Sequence, residues 1–181
     1  TGVTMGRRAF GKTALSALAL MAAHPRMAFA ADWDAILTEA KGQTVYWHAW
    51  GGDPKINDFI AHIGAQALER HGVTLEHVKL SSTADAVARV VAERDAGQTT
   101  GGAVDMIWIN GENFAAMKLQ DLLFGPFADA LPNWPLVDTM GKPATVTDFT
   151  LPTEGYESPW AMAQFVFEYD GAKLPAPPKT L

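Results

Sequence analysis

The stretch Val45 to Pro54, "VYWHAWGGDP", decides the fold. Thr44 to Trp50 is a continuous apolar and aromatic run of strand length, the pattern of a strand covered on both faces, as in a parallel sheet. The run stops at Gly51-Gly52, and Asp53-Pro54 then supplies an N-cap and a residue suited to the first helical position. A buried strand that turns directly into a helix is the opening of a βαβ unit. Trp47 and His48 are expected to pack between helices, with Trp50 at the open end of the strand. His48 within the strand is read as a hydrogen-bonded core histidine, the alternative being a ligand.

The pattern continues outward in both directions. Trp33, Ile36, Leu37 and Ala40 form a helix face before the strand, with Gly42 as its stop. After Pro54, the residues Ile56, Phe59, Ile60, Ile63 and Ala67 repeat on one helical face until Arg70, His71 and Gly72 close the helix. Val73 to Leu80 alternates as a second strand. Ser82-Thr83-Ala84-Asp85 reads as a capping box, followed by an apolar stripe of Ala84, Val87, Ala88 and Val91 that ends by Gly97. Val104 to Ile109 is a third strand, and Asn110-Gly111 turns the chain into a short helix around Phe114 and Met117. Strands separated by helices predict crossover connections and a parallel sheet. From Leu122 to Pro159, proline, glycine and aromatic residues predict an ordered connecting region.

Composition narrows the function classes. The 181 residues are 48% hydrophobic with a net charge of -6, and the basic residues are scattered and outnumbered by acids, so no nucleic-acid partner is expected. The absence of cysteine excludes disulfides, thiolate metal sites and a cysteine nucleophile. No G-x-G-x-x-G after a strand, G-x-x-x-x-G-K-[ST], H-E-x-x-H or G-x-S-x-G occurs. His62 and His71 stand too far apart along one helix to share a metal ion. No catalytic residues, metal or cofactor are expected.

Residues 1–30 read as an export signal: a basic start (Arg7, Arg8, Lys12), an apolar stretch from Thr13 to Ala23, and Ala28-Phe29-Ala30 as a small-residue cleavage site. The stretch falls short of the roughly 20 residues that span a bilayer. "GRRAFGK" resembles the twin-arginine signal, although Gly6 and Gly11 depart from it, and a general secretory signal is the alternative. The processed chain, starting near Ala31, is expected to be free and soluble in the periplasm, without a lipid anchor.

An open α/β sheet binds ligands at the carboxyl ends of its strands, where helix N-termini present free N–H groups. The three strands deliver Trp50-Gly51-Gly52 with Asp53, Ser81-Ser82-Thr83 and Asn110-Gly111-Glu112-Asn113 to that edge. Capping explains Ser82 and Asp53, and turn geometry explains the glycines; their convergence on one edge favours a binding site. Asp148, Glu154 and Glu157 lie in irregular sequence, either solvated or supplying negative charge beside Tyr156 and Trp160. Aromatic faces combined with carboxylates suit organic cations.

The runs "YWHAWGGDPKINDFI", "GVTLEHVKLSSTADAVARVVAE", "VDMIWINGENFAAMK" and "LLFGPFADALPNW", together with "ESPWAMAQFVFEYDGAKLPAPPKTL", resemble the solute-binding proteins of bacterial ABC importers. The likeness is to an uncharacterised branch grouped with iron, thiamine and polyamine binders. It implies an α/β, type II periplasmic-binding-protein-like lobe over 31–160 with an open, mostly parallel sheet. Ser158-Pro159-Trp160 and Tyr169-Asp170 then mark a hinge strand over 161–181, leading to a second lobe that this chain does not contain; the chain reads as an N-terminal fragment of a longer reading frame. By position, the resemblance puts ligand contacts at Trp50, Gly51, Gly52, Ser81, Ser82, Asn110, Gly111, Glu112 and Trp160. It implies a monomer that binds a small solute, delivers it to a membrane permease and performs no covalent chemistry. The alternative class is an exported α/β hydrolase or carbohydrate-acting enzyme using Asp53 or Glu112.

Overall fold

The computed structural model of the protein describes residues 33–161 and 168–176. The signal-peptide reading of residues 1–30 and much of the hinge strand over 161–181 lie outside the described residues.

The central element is β1 (Thr44–Trp50), which pairs in parallel with β2 (Thr74–Leu80) on one side and β3 (Met106–Ile107) on the other, giving the sheet order β2-β1-β3. Register with β2 runs without interruption from Thr44 opposite Thr74 to Trp50 opposite Leu80. Strand alternation sends Trp47 and Ala49 to one face and His48 to the other, and all three are buried. Trp47 and Ala49 pack with Ile60 of α2 (Pro54–His71), bordered by Ile56, Leu75 and Trp108. A short helix, α1 (Trp33–Ala40), precedes β1.

The β1–α2 junction forms as its residue types require. Asp53 accepts from the backbone N–H groups of Lys55 at 2.7 Å and Ile56 at 3.2 Å, occupying two donors the first helical turn leaves free. At the other end Gly72 takes a left-handed conformation, φ 69°, and its N–H returns to Leu68 O at 3.0 Å. The predicted apolar face of α2 is covered unevenly. Ile60 is fully buried and Ile56 and Ala67 partly so, whereas Phe59 and Ile63 stay exposed. Phe59 stacks on Trp160, with ring centroids 6.0 Å apart.

Two expectations change. The stripe of α3 (Thr83–Asp95) centres on buried Ala86, flanked by Val87, Val90 and Val91, while Ala84 and Ala88 are exposed. Alanine is too weakly apolar to show in a sequence which side of a helix is covered. The third strand, read as Val104 to Ile109, has ladder pairing at Met106 and Ile107. Before it, the Asp105 carboxylate accepts from Tyr46 N–H at 2.9 Å, taking the place of a backbone carbonyl. After it, Trp108 N–H donates to His48 O at 2.9 Å, and the chain leaves the sheet at Asn110.

The connecting region is ordered, as the sequence predicts. Three 3₁₀ turns, Ala128–Ala130, Trp134–Leu136 and Pro143–Thr145, lead into the antiparallel hairpin β4 (Thr147–Asp148) and β5 (Leu151–Pro152). Helix α4 (Gly111–Leu119), with Phe114 and Met117 buried, is tied to this region by Lys118. The Lys118 ammonium donates to Pro152 O and pairs with Glu154 at 2.8 Å.

Shortening Ile60 removes the side chain on which Trp47 and Ala49 rest. Ile60→Ala is expected to lower unfolding stability by about 2–5 kcal/mol, read from the urea midpoint at unchanged slope.

Candidate functional site

The chain goes from β1 outward to β2 and then back across β1 to β3, so the connections diverge at the carboxyl ends of β1 and β3. In an open sheet that divergence opens a crevice. Trp50 ends β1, Ser81 follows β2, and Trp108 and Asn110 follow β3; with Thr83 they line a cleft of about 390 Å³. A second cavity of about 480 Å³ adjoins it and shares Trp108 and Asn110. This cavity runs beneath Trp160 to Thr145, Asp148, Thr153 and Glu157.

Indole rings hold the two cavities in place. The ring of Trp108 meets Trp160 edge-on at 4.7 Å and Trp50 at 6.5 Å, and Trp160 also meets Trp47 at 5.3 Å. Edge-to-face pairs of this kind contribute about 0.5–1.5 kcal/mol each beyond their buried area. Thr83 Oγ1 donates to Trp108 O at 3.3 Å, fixing the end of β3 to the start of α3. Asn57 Nδ2 donates to Gly51 O at 3.0 Å, fixing the loop after β1 to α2.

Of the residues singled out from sequence, Trp50, Ser81 and Asn110 line the first cleft, and Asn110 and Trp160 line the second. Gly51, Gly52, Ser82, Gly111 and Glu112 lie outside both linings. The glycines after β1 serve packing: a Cβ on Gly52 would stand 2.3 Å from Trp50 Cζ2, and one on Gly51 would stand 2.6 Å from Lys79 Cβ. Ser82 Oγ caps α3 by accepting from Ala84 N–H at 3.3 Å. Gly111 N–H donates to the Asp148 carboxylate, tying the start of α4 to the hairpin. Glu112 is exposed in the first turn of α4, and Asp53 is engaged as the α2 cap. Thr83 was expected at this edge, though not among the ligand contacts, whereas Trp108 was not expected there; its position two residues before Asn110 at the end of an apolar strand was the available signal.

Two carboxyl groups of the second cavity are perturbed. Burial pushes Glu157 up from 4.5 to about 7, and the nearby Asp148 charge adds to the rise. Burial also raises Asp148, opposed by the hydrogen bond from Gly111 N–H. Among the described residues, no three His, Asp or Glu converge as metal ligands, and no helix is long and apolar enough to cross a membrane.

Residues 62–181 match the sequence model of a family described as bacterial extracellular solute-binding protein. The chain belongs to that family. It is also similar to Protein YnjB of Escherichia coli (strain K12), with 44% identity over 151 residues, which make up 83% of this chain and 38% of the relative. The chain thus spans well under half the length of that relative. The mixed helix–strand architecture with its parallel sheet is compatible with a solute-binding-protein fold.

For this solute-binding family member, two substitutions separate packing from electrostatics. In Gly52→Ala the new methyl must displace the Trp50 indole, so a shift in tryptophan emission is expected with secondary structure preserved by circular dichroism. Glu157 is favoured as the neutral acid on folding, because its folded value lies above its unfolded value. Its unfavourable contribution is therefore absent below about pH 4.5, grows as pH rises, and is complete above about pH 7. Glu157→Gln should raise the melting temperature at pH 8 and leave it nearly unchanged at pH 4.

Proposed function

We propose that this protein is the periplasmic solute-binding component of an ABC importer, capturing a small organic solute at the carboxyl edge of the β2-β1-β3 sheet. The observation that carries this reading is the tryptophan-walled cleft at the point where the strand connections diverge, in a chain of the extracellular solute-binding family. Residues 31–160 form a type II lobe. Residues 161–181 lead through a hinge strand into a second lobe that closes over the solute, and the closed form is read by a membrane permease. Residues 1–30 direct export by the twin-arginine route, leaving a free, monomeric protein.

Trp50, Ser81, Asn110 and Trp160 are the direct contacts in this reading. Gly51, Gly52, Ser82, Gly111 and Glu112 support them through the turns and helix starts that hold the cleft open. The solute has a flat face or a positive charge, of the thiamine or polyamine kind, because indole faces favour both. No bond is made or broken; binding and closure are the whole of the activity.

A small-metabolite screen by thermal shift, followed by calorimetry on the hit, tests this reading. Trp50→Ala is expected to weaken binding about tenfold or more, roughly 1.4 kcal/mol, while lowering the stability of the free protein by no more than about 0.5–1.5 kcal/mol, the contribution of its edge contact with Trp108. Loss of stability with intact binding would assign Trp50 to the core. Turnover of the bound compound that Glu112→Gln abolishes would replace the binding reading with an enzymatic one.

A further inference from the structure

We propose that the cavity between the β4–β5 hairpin and Trp160 is a subsite for an organic ammonium group, with Asp148 and Glu157 as counter-charges and Trp108 and Trp160 as walls. This rests on the solute-binding reading above and assigns a different part of the solute to each half of the site. The two cavities share Trp108 and Asn110, so one molecule can occupy both. Its flat portion lies against Trp50 and Trp108, and its cationic end reaches the hairpin.

Positive charge is what the second cavity lacks. Two carboxyl groups face it, and among the described residues no lysine or arginine forms an ion pair with either. The lysine held against the hairpin, Lys118, pairs with Glu154 instead. One oxygen of Asp148 is held by Gly111 N–H, which sets the direction of the carboxylate and leaves the other oxygen for a ligand. Burial raises both groups, and Glu157 is raised further by Asp148. A cation between them relieves the repulsion and the desolvation together.

The walls select the kind of cation. Among the described residues no three acidic or histidine side chains converge as metal ligands, whereas this cavity sets two carboxylates, an amide and hydroxyls against indole and other apolar surface. An alkylammonium group uses all of these: its charge meets the carboxylates and its carbon-bound hydrogens meet the ring faces.

The purified protein is titrated with choline, with n-butylammonium, with 3,3-dimethylbutan-1-ol as the uncharged counterpart of choline, and with calcium chloride, following tryptophan emission. Both ammonium compounds are expected to give saturable changes, with the alcohol and calcium at least about tenfold weaker. Glu157→Gln and Asp148→Asn should each weaken choline by about tenfold or more. In Asp148→Asn the side-chain amide oxygen can still accept from Gly111 N–H, and melting curves confirm that both variants are folded. Equal binding of the alcohol, tighter binding of calcium, or choline affinity within about twofold in folded Glu157→Gln overturns the subsite. A metabolite whose binding depends on Trp50 but is unchanged by Glu157→Gln also overturns it, while leaving the importer reading in place. Absence of any bound metabolite in a screen of the full-length protein, second lobe included, overturns both.

Discussion

The sheet edge of the candidate site takes its position from the hydrogen-bond ladders on the two sides of β1. A strand between two partners and beneath packed helices has no solvent to satisfy its backbone, so each N–H and C=O needs a fixed acceptor or donor. On the β2 side the register is continuous to Trp50 and Leu80, which places Trp50 and Ser81 side by side. On the β3 side the strand is short, and the Asp105 carboxylate completes the ladder by accepting from Tyr46 N–H. Together with Trp108 N–H donating to His48 O, that bond holds β3 in phase, so that Trp108 emerges beside Trp50 and Asn110 reaches the same edge. Slipping β3 by one residue would turn Trp108 to the opposite face and dismantle the indole cluster.

The second half of the site is assembled by a different constraint. Asp148 belongs to an irregular segment, yet it accepts from the N–H of Gly111 at the start of α4, a group that the helix itself leaves without a partner. The hairpin is thereby fastened to the crevice of the sheet. Glu157 comes to the same place a few residues later and is only partly solvated there, which is why its proton is held to about pH 7. The fold thus lines one cavity with two carboxyl groups and two indoles.

Much of this was legible in the sequence, for physical reasons that differ by region. Asp53-Pro54 and Gly72 have conformational preferences strong enough to mark α2 at both ends, and the apolar and aromatic run at Thr44 to Trp50 reads most economically as a covered strand, which holds at Trp47, His48 and Ala49 while Thr44, Tyr46 and Trp50 are exposed. The covered side of α3 was not legible, because alanine and valine sit all around that helix and packing alone chose Ala86. The limits of β3 were hidden too, since an aspartate standing in for a backbone carbonyl has no periodic signature. Trp50, Ser81 and Asn110 could be placed from strand ends alone. Trp108 required the register, and the pairing of Asp148 with Gly111 spans 37 positions that no local pattern connects.

Lys118 sits half-buried at the centre of a joint. Its ammonium touches Pro152 O and Glu154 and lies 5.8 Å from the Phe114 ring and 6.0 Å from that of Tyr156. Helix α4 and the hairpin region are therefore clamped together near the carboxyl end of the helix, while Gly111 and Asp148 clamp them at its amino end. Two fastenings at opposite ends of one helix make a rigid bracket rather than a hinge. The carboxylate of Asp148 and the hairpin that carries it are therefore held against α4 from both ends, so that side of the second cavity keeps its shape independently of the sheet.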